Sequence, residues 1–440
     1  MIDSTPKELE AGNYDNQASP TFKGDRKSIV GASIPQLLLI SMPRMAVRMA
    51  WSAQWAALGP YLGTMMPKYA VQLAQIIGPV TGILVAPVVG AFSDRSTNRW
   101  GRRRPFLLYG AVTSAICWTA MGYTRQIGDV FGDTGSGKKG EETNRFWTIF
   151  FTIFFYAWMD ITVNVVQTPL NGRPLVLLLA RDGPRWGLSW FPVACFFSQE
   201  RPREKLDQVT ESAWLSVKGA FESIYHGFKS LPLELLKYSV VVFCVMYGFS
   251  AYNGNKGQYF GIEVYGGSPK GANICAPDCS DAQDAYNRGV RVAGGYADLW
   301  FSLVGYAYSW VLPWLVKRFG AKWVLSVALI PQSLLMAMAF TTTVSIDVTI
   351  VILTTVTLTT VFALNVPVII HVLGHEAEIG VYVGVLNAAN CFGQLVNFSI
   401  GAAVVGTPMG YKLPVFLGGA TSFLGMLFTI FLLKIKMFSL

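Results

Sequence analysis

Ten apolar runs of membrane-spanning length recur along the 440 residues, more than the core of a soluble protein can use. They lie near 34–64, 70–92, 105–124, 146–168, 236–252, 294–316, 322–342, 347–370, 380–405 and 412–434. A helix needs about 20 apolar residues to cross hydrocarbon. Only helices and closed barrels can cross, because each backbone polar group must find its partner inside the protein. Charged residues make up 14% of the chain, against about a quarter in soluble domains. The chain therefore reads as an all-α, multi-pass integral membrane protein embedded in a lipid bilayer.

The net charge of +9 is partly concentrated in one tight turn, Asp94 to Arg104, where five arginines oppose one aspartate. Short arginine-rich turns mark the cytoplasmic side. Nucleic acid is not expected as a partner, since no basic surface interleaved with aromatics is visible. Residues 1–33 read as a polar cytoplasmic tail without a cleavable signal sequence. An amino-terminal bundle (34–197), a central cytoplasmic loop (198–235), a carboxy-terminal six-helix bundle (236–434) and a short cytoplasmic tail (435–440) follow. In the central loop Trp214, Val217, Phe221 and Tyr225 recur at the spacing of an interfacial amphipathic helix. Two segments are expected on the outer side: the charge-balanced turn Arg125 to Arg145, and a structured loop from Asn253 to Arg291. Cys275 and Cys279 in that loop are placed to close a small disulfide in an oxidising compartment.

The two halves echo each other. Gly90-Ala-Phe-Ser-Asp94-Arg95 with Gly101-Arg-Arg-Arg104 ends the second run, and Trp314-Leu-Val-Lys317-Arg318-Phe-Gly320 ends its counterpart. Both are basic turns around a glycine, as in carriers built from related repeats with the site at their interface.

These residues resemble the major facilitator superfamily, and more narrowly its sucrose transporters and glycoside–cation symporters. The matching residues are Val47, Trp51, Gln54 and Pro60-Tyr61, then Gly78-Pro79, Gly82, Pro87 and Gly90. Ser93-Asp94-Arg95, Gly101-Arg102-Arg103-Arg104-Pro105-Phe106, and Asp160, Asn164, Gln167 and Pro169 follow. Glu263-Val-Tyr-Gly-Gly267, Gly289-Val-Arg291, Gly384-Val-Leu-Asn387 and Gln394 complete the set. The resemblance implies a major facilitator fold, two helical bundles around a central cavity. It also implies proton-coupled symport of sucrose or a related glycoside across a plasma or vacuolar membrane. Asp94, Arg95, Gly101, Arg102, Arg103 and Arg104 would then form a cytoplasmic gate.

Where the chain departs from that pattern, the expectation changes. The family has six spans per bundle, and the first bundle here is short of one. Residues 171–197 offer 27 positions with three prolines, where two spans would need about 40. Arg181, Asp182, Pro184 and Arg185 break that stretch. The resemblance stops after Pro169 and resumes near Ser198, as a mis-spliced or frame-shifted coding sequence would leave it; a loop-length variant is the other reading. The family's arginine eleven residues beyond the span-four aspartate falls on Asn171 here, with Arg173 nearest, and its acidic residues before Glu263 become Asn253, Asn255 and Gln258. Both changes bear on proton coupling and leave a transport-dead sugar sensor or accessory membrane protein as the alternative.

Among single residues, Asp160 stands out, because an ionisable group deep in an apolar run is a functional candidate by default. It is the expected proton carrier, with Asp298 second and Arg48 a carboxylate partner; Arg44 is placed to snorkel towards the cytoplasmic edge. Trp51, Gln54, Asn164, Gln167, Asn387 and Gln394, with Asn365, are candidates to line a sugar pocket. Asn164 and Gln167 follow Asp160 on roughly the same helical face. Polar residues also glue helices together in membranes, and for most of these side chains packing alone explains their presence. His371 and His375 with Glu376 and Glu378 have metal-like spacing but lie in a short loop, so no metal is expected. Without a nucleophile constellation or phosphate-binding loop, neither an enzyme nor a cofactor is expected.

Overall fold

The computed structural model describes residues 34–96, 104–135, 144–171, 213–374 and 379–438. The stretch 172–212, on which the expected shortfall of one span rests, lies outside the described residues, as do the tail 1–33 and His375.

The first half contains α1 (Ile34–Gly63), α2 (Lys68–Gln75), α3 (Ile77–Arg95), α4 (Arg104–Gly122), the short α5 (Thr124–Val130) and α6 (Phe146–Asn171). The connecting helix α7 (Ala213–Lys229) leads to the second half. There α8 (Leu233–Asn253) is followed by a single turn, α9 (Lys256–Gln258), and a π-helical turn, Tyr259–Val264. Next come α10 (Asp281–Arg291), a second π-helical turn at Val292–Ala297, and α11 (Asp298–Phe319). The remainder is α12 (Ala321–Ser333), α13 (Leu335–Met338), α14 (Val344–Leu373), α15 (Ile379–Val404) and α16 (Lys412–Leu432). Eight of these helices or helix runs are long and apolar enough to cross a membrane, counted among the described residues. By length, α1 with 30 residues and α15 with 26 do so as well.

Local chemistry sets the boundaries. Ser280 caps α10 in a reciprocal box with Gln283, satisfying backbone N–H groups that have no partner within the helix. At Gly320, φ of +82° turns α11 into α12 within one residue, with Lys317 and Arg318 in the preceding turn. A side chain at that φ would be strained, and the two cations sit at the negative end of the helix dipole. The expected central loop contains α7, whose Gly227 packs against Val381 and Val385 of α15.

One expectation needs correction. Asn253 to Arg291, read throughout as a structured loop, is helical at its two ends, where α9 with a π turn and α10 flank a loop at 265–280. Its Gly- and Asn-rich composition masks a helix with a changed repeat. Cys275 and Cys279 are joined there by a disulfide.

Apolar side chains cover the outer surface as well as filling the core. Large apolar side chains such as Ile116, Trp310, Trp314, Val327 and Phe431 are exposed, whereas Thr354, Thr357, Gln332 and Asn397 are buried. Lipid offers no reason to hide apolar groups, so interior contacts rely on close packing and interhelical hydrogen bonds. Gln332 donates to the Val245 carbonyl at 2.6 Å and Thr357 to the Ala328 carbonyl at 2.5 Å. The halves meet where α15 lies along α2 and α3, and where α1 lies against α9 and the second π turn.

Candidate functional site

Asp160 lies midway along α6 with 1% of its surface exposed. Asn164, one turn on, donates from Nδ2 to Asp160 Oδ2 at 3.1 Å and to the Asp160 carbonyl at 2.9 Å. Thr81 of α3 donates its hydroxyl to the same Oδ2. Gln54 of α1, also buried, is in hydrogen-bonding reach of both Asp160 and Tyr156. Three helices of the first half thus converge on one carboxyl group, whose described partners are all neutral. Neutral donors alone hold this carboxyl in place among the described residues.

The site lies at the seam between the halves. A Cβ on Gly82 of α3 would fall 2.8 Å from Cys391 Sγ of α15, so only glycine allows the two backbones to approach this closely. Asn387 is 3.9 Å from that sulfur, and Gln394 donates to Asn390 at 2.8 Å. The α15 face carrying Asn387 and Gln394 therefore runs beside the Asp160 cluster. Gln54, Trp55, Leu58, Gly59, Gln75 and Tyr156 line a small cavity next to it.

Other expected residues are placed differently. Trp51, three residues before Gln54, is half-buried, with its indole N–H unpartnered among the described residues. Gln167 is half-buried at the far end of α6. Asn365 accepts from Tyr238 at 3.0 Å inside the second bundle. Arg48 sits with its guanidinium 4.6 Å over the Phe362 ring of α14, bridging the halves. Asp94 and Arg95 end α3 and Arg104 opens α4, while Gly101, Arg102 and Arg103 lie outside the described residues.

Asp298, second to Asp160 as expected proton carrier, forms an ion pair with Lys256. The Lys256 side chain is 2% exposed and that of Asp298 17%. Sequence reasoning passed over Lys256 because it stands in a run of small polar residues, Asn253 to Gln258, that reads as loop. The usable signal was a lone cation beside an apolar run, with a lone aspartate opening another.

At the end of the bundles away from the arginine turn, the halves are pressed together. Tyr286 donates to the Pro60 carbonyl at 3.2 Å, and Gln72 of α2 donates to Asn255. Trp55 stacks on Phe398 at 5.9 Å, and Lys68 lies 5.4 Å from the Tyr411 ring centroid. Beyond this seam lies a recess of about 430 Å³ bounded by Tyr61, Thr64, Arg125, Arg145, Lys270 and Asn273. The larger space is thus outside the seam, whereas the Asp160 cluster within it is tightly closed.

Residues 39–171 match the family described as MFS/sugar transport protein. Sucrose transport protein SUT5 of Oryza sativa subsp. indica is 25% identical over 370 residues, covering 71% of this chain and 67% of the relative. Sucrose transport protein SUC3 of Arabidopsis thaliana is 32% identical over 187 residues, 40% of this chain and 30% of the relative. A crystal structure of a mutant nucleoside transporter, NupG, superposes with a TM-score of 0.52 at 12% identity, covering 91% of this chain and 99% of that one. At that identity the likeness shows the fold.

Proposed function

We propose that this chain, which belongs to the major facilitator superfamily, carries sucrose or a closely related glycoside across a membrane together with a proton. The observation that carries the reading is the Asp160 cluster. A buried carboxyl, two amides and a hydroxyl from three helices meet at the seam, with Asn387 and Gln394 on the facing helix. Hydroxyl-rich solutes are bound by such neutral donor–acceptor groups, and Trp51 and Tyr156 add apolar ring faces.

The mechanism is alternating access. The protonated carboxyl donates to a sugar hydroxyl while the site faces outward, and rocking of the halves opens it to the arginine-turn side. Loss of the proton there weakens the hold on the sugar. Affinity must differ between the two states, because equal binding shifts no equilibrium.

The reading is tested by counterflow in proteoliposomes loaded with unlabelled sucrose. Labelled sucrose should enter the loaded vesicles, and excess glycoside but not excess nucleoside should block its entry. Absence of counterflow would favour a sugar-sensing protein over a carrier.

A further inference from the structure

We propose that Gln258 is the ligand-contacting plug of the outer gate. Its amide fills the seam while the halves are closed and hydrogen-bonds hydroxyl groups of the arriving solute when they part. This rests on the sugar reading above.

The side chain of Gln258 is 0% exposed. Neither Nε2 nor Oε1 has a hydrogen-bond partner among the described residues. Leaving both ends of a buried amide unbonded is costly, and such a group calls for an explanation beyond packing. The facing wall is glycine: a Cβ on Gly59 would fall 2.9 Å from Nε2, and one on Gly63 3.6 Å from both Nε2 and Cγ. The amide thus crosses from the second half into a notch in α1.

Its position lies on the route a solute would take. Gly63 borders the outer recess, and Gly59 borders the small cavity that it shares with Gln54, Gln75 and Tyr156. Gln54 in turn reaches Asp160. The Gln258 amide, set against both glycines, thus stands between the recess and the small cavity. The backbone there is suited to reshaping, because a three-residue helix gives way to a π turn at Tyr259, and π turns often mark functional positions in helices. Lys256, two residues earlier, is tied to Asp298, which anchors the base of the plug.

The test uses the full chain in sealed vesicles. Gln258→Met keeps the length of the side chain and removes the amide. We expect the KM for sucrose entering from the outer face to rise about tenfold, the loss of a typical buried hydrogen bond, with the KM for exit from the inner face unchanged. A merely structural defect would raise both. If Gln258→Met does not reach the membrane, Gln258→Cys serves instead. A membrane-impermeant thiol reagent on the outer side should label it, and saturating sucrose should slow the labelling. An unchanged outer KM, an equal rise at both faces, or no outer labelling overturns the proposal. Wild-type vesicles that take up no sucrose would overturn the sugar reading itself, whereas normal wild-type uptake with an unchanged variant KM sinks only the plug.

Discussion

Asp160→Asn is expected to abolish accumulation of sucrose against its gradient while sparing exchange. With a pH step of one unit across the membrane, one coupled proton is worth about 1.4 kcal/mol and sustains about tenfold accumulation. In the variant the ratio should fall to about one. The amide oxygen can still accept from Thr81 and Asn164, and the amide N–H can still meet a sugar hydroxyl, so exchange of labelled for unlabelled sucrose should persist. What is lost is a group that can release a proton. The assay is uptake with and without the pH step, and unaltered accumulation in the variant would remove Asp160 from the coupling role.

The second large effect concerns the Lys256–Asp298 pair. Removing one member of a buried pair strands a charge and costs about 3–5 kcal/mol. Lys256→Met and Asp298→Asn should each lower thermal stability markedly and reduce transport by more than tenfold. The two residues join α9 to the start of α11, and both flanking segments pack against α1. The pair therefore holds the outer rim of the second half as one body. The exchanged double variant, Lys256→Asp with Asp298→Lys, keeps both charges and should recover much of the stability and some transport. An exchange variant no better than either single one would show that the pair does more than hold the rim.

The spans were legible because the bilayer imposes a length and a composition that sequence displays directly. Asp160 was legible for the same reason, as an ionisable group inside an apolar run. Its convergence with Thr81 and Gln54 was less so, since a threonine in a span more often bonds its own helix, as Thr152 does to the Thr148 carbonyl at 2.7 Å. The region from Asn253 to Arg291 was legible only in its central, disulfide-closed loop, and its helical ends were not. A π turn at Tyr259–Val264 alters the helical repeat there and a loop separates it from α10, so periodicity gives no continuous signal. Glycine and asparagine, ordinarily loop residues, serve instead as small contacts where α1 presses close. Lys256 and Gln258 lie in the first of those ends, and only the fold shows that one is paired and the other faces glycine.

Proton movement driven by sugar is the most direct measurement. Vesicles containing the purified chain and a trapped pH indicator, with no initial pH difference, receive sucrose outside. Coupled transport predicts prompt acidification of the lumen, saturable in sucrose and absent for Asp160→Asn. Sucrose entry without any change in lumenal pH would contradict it.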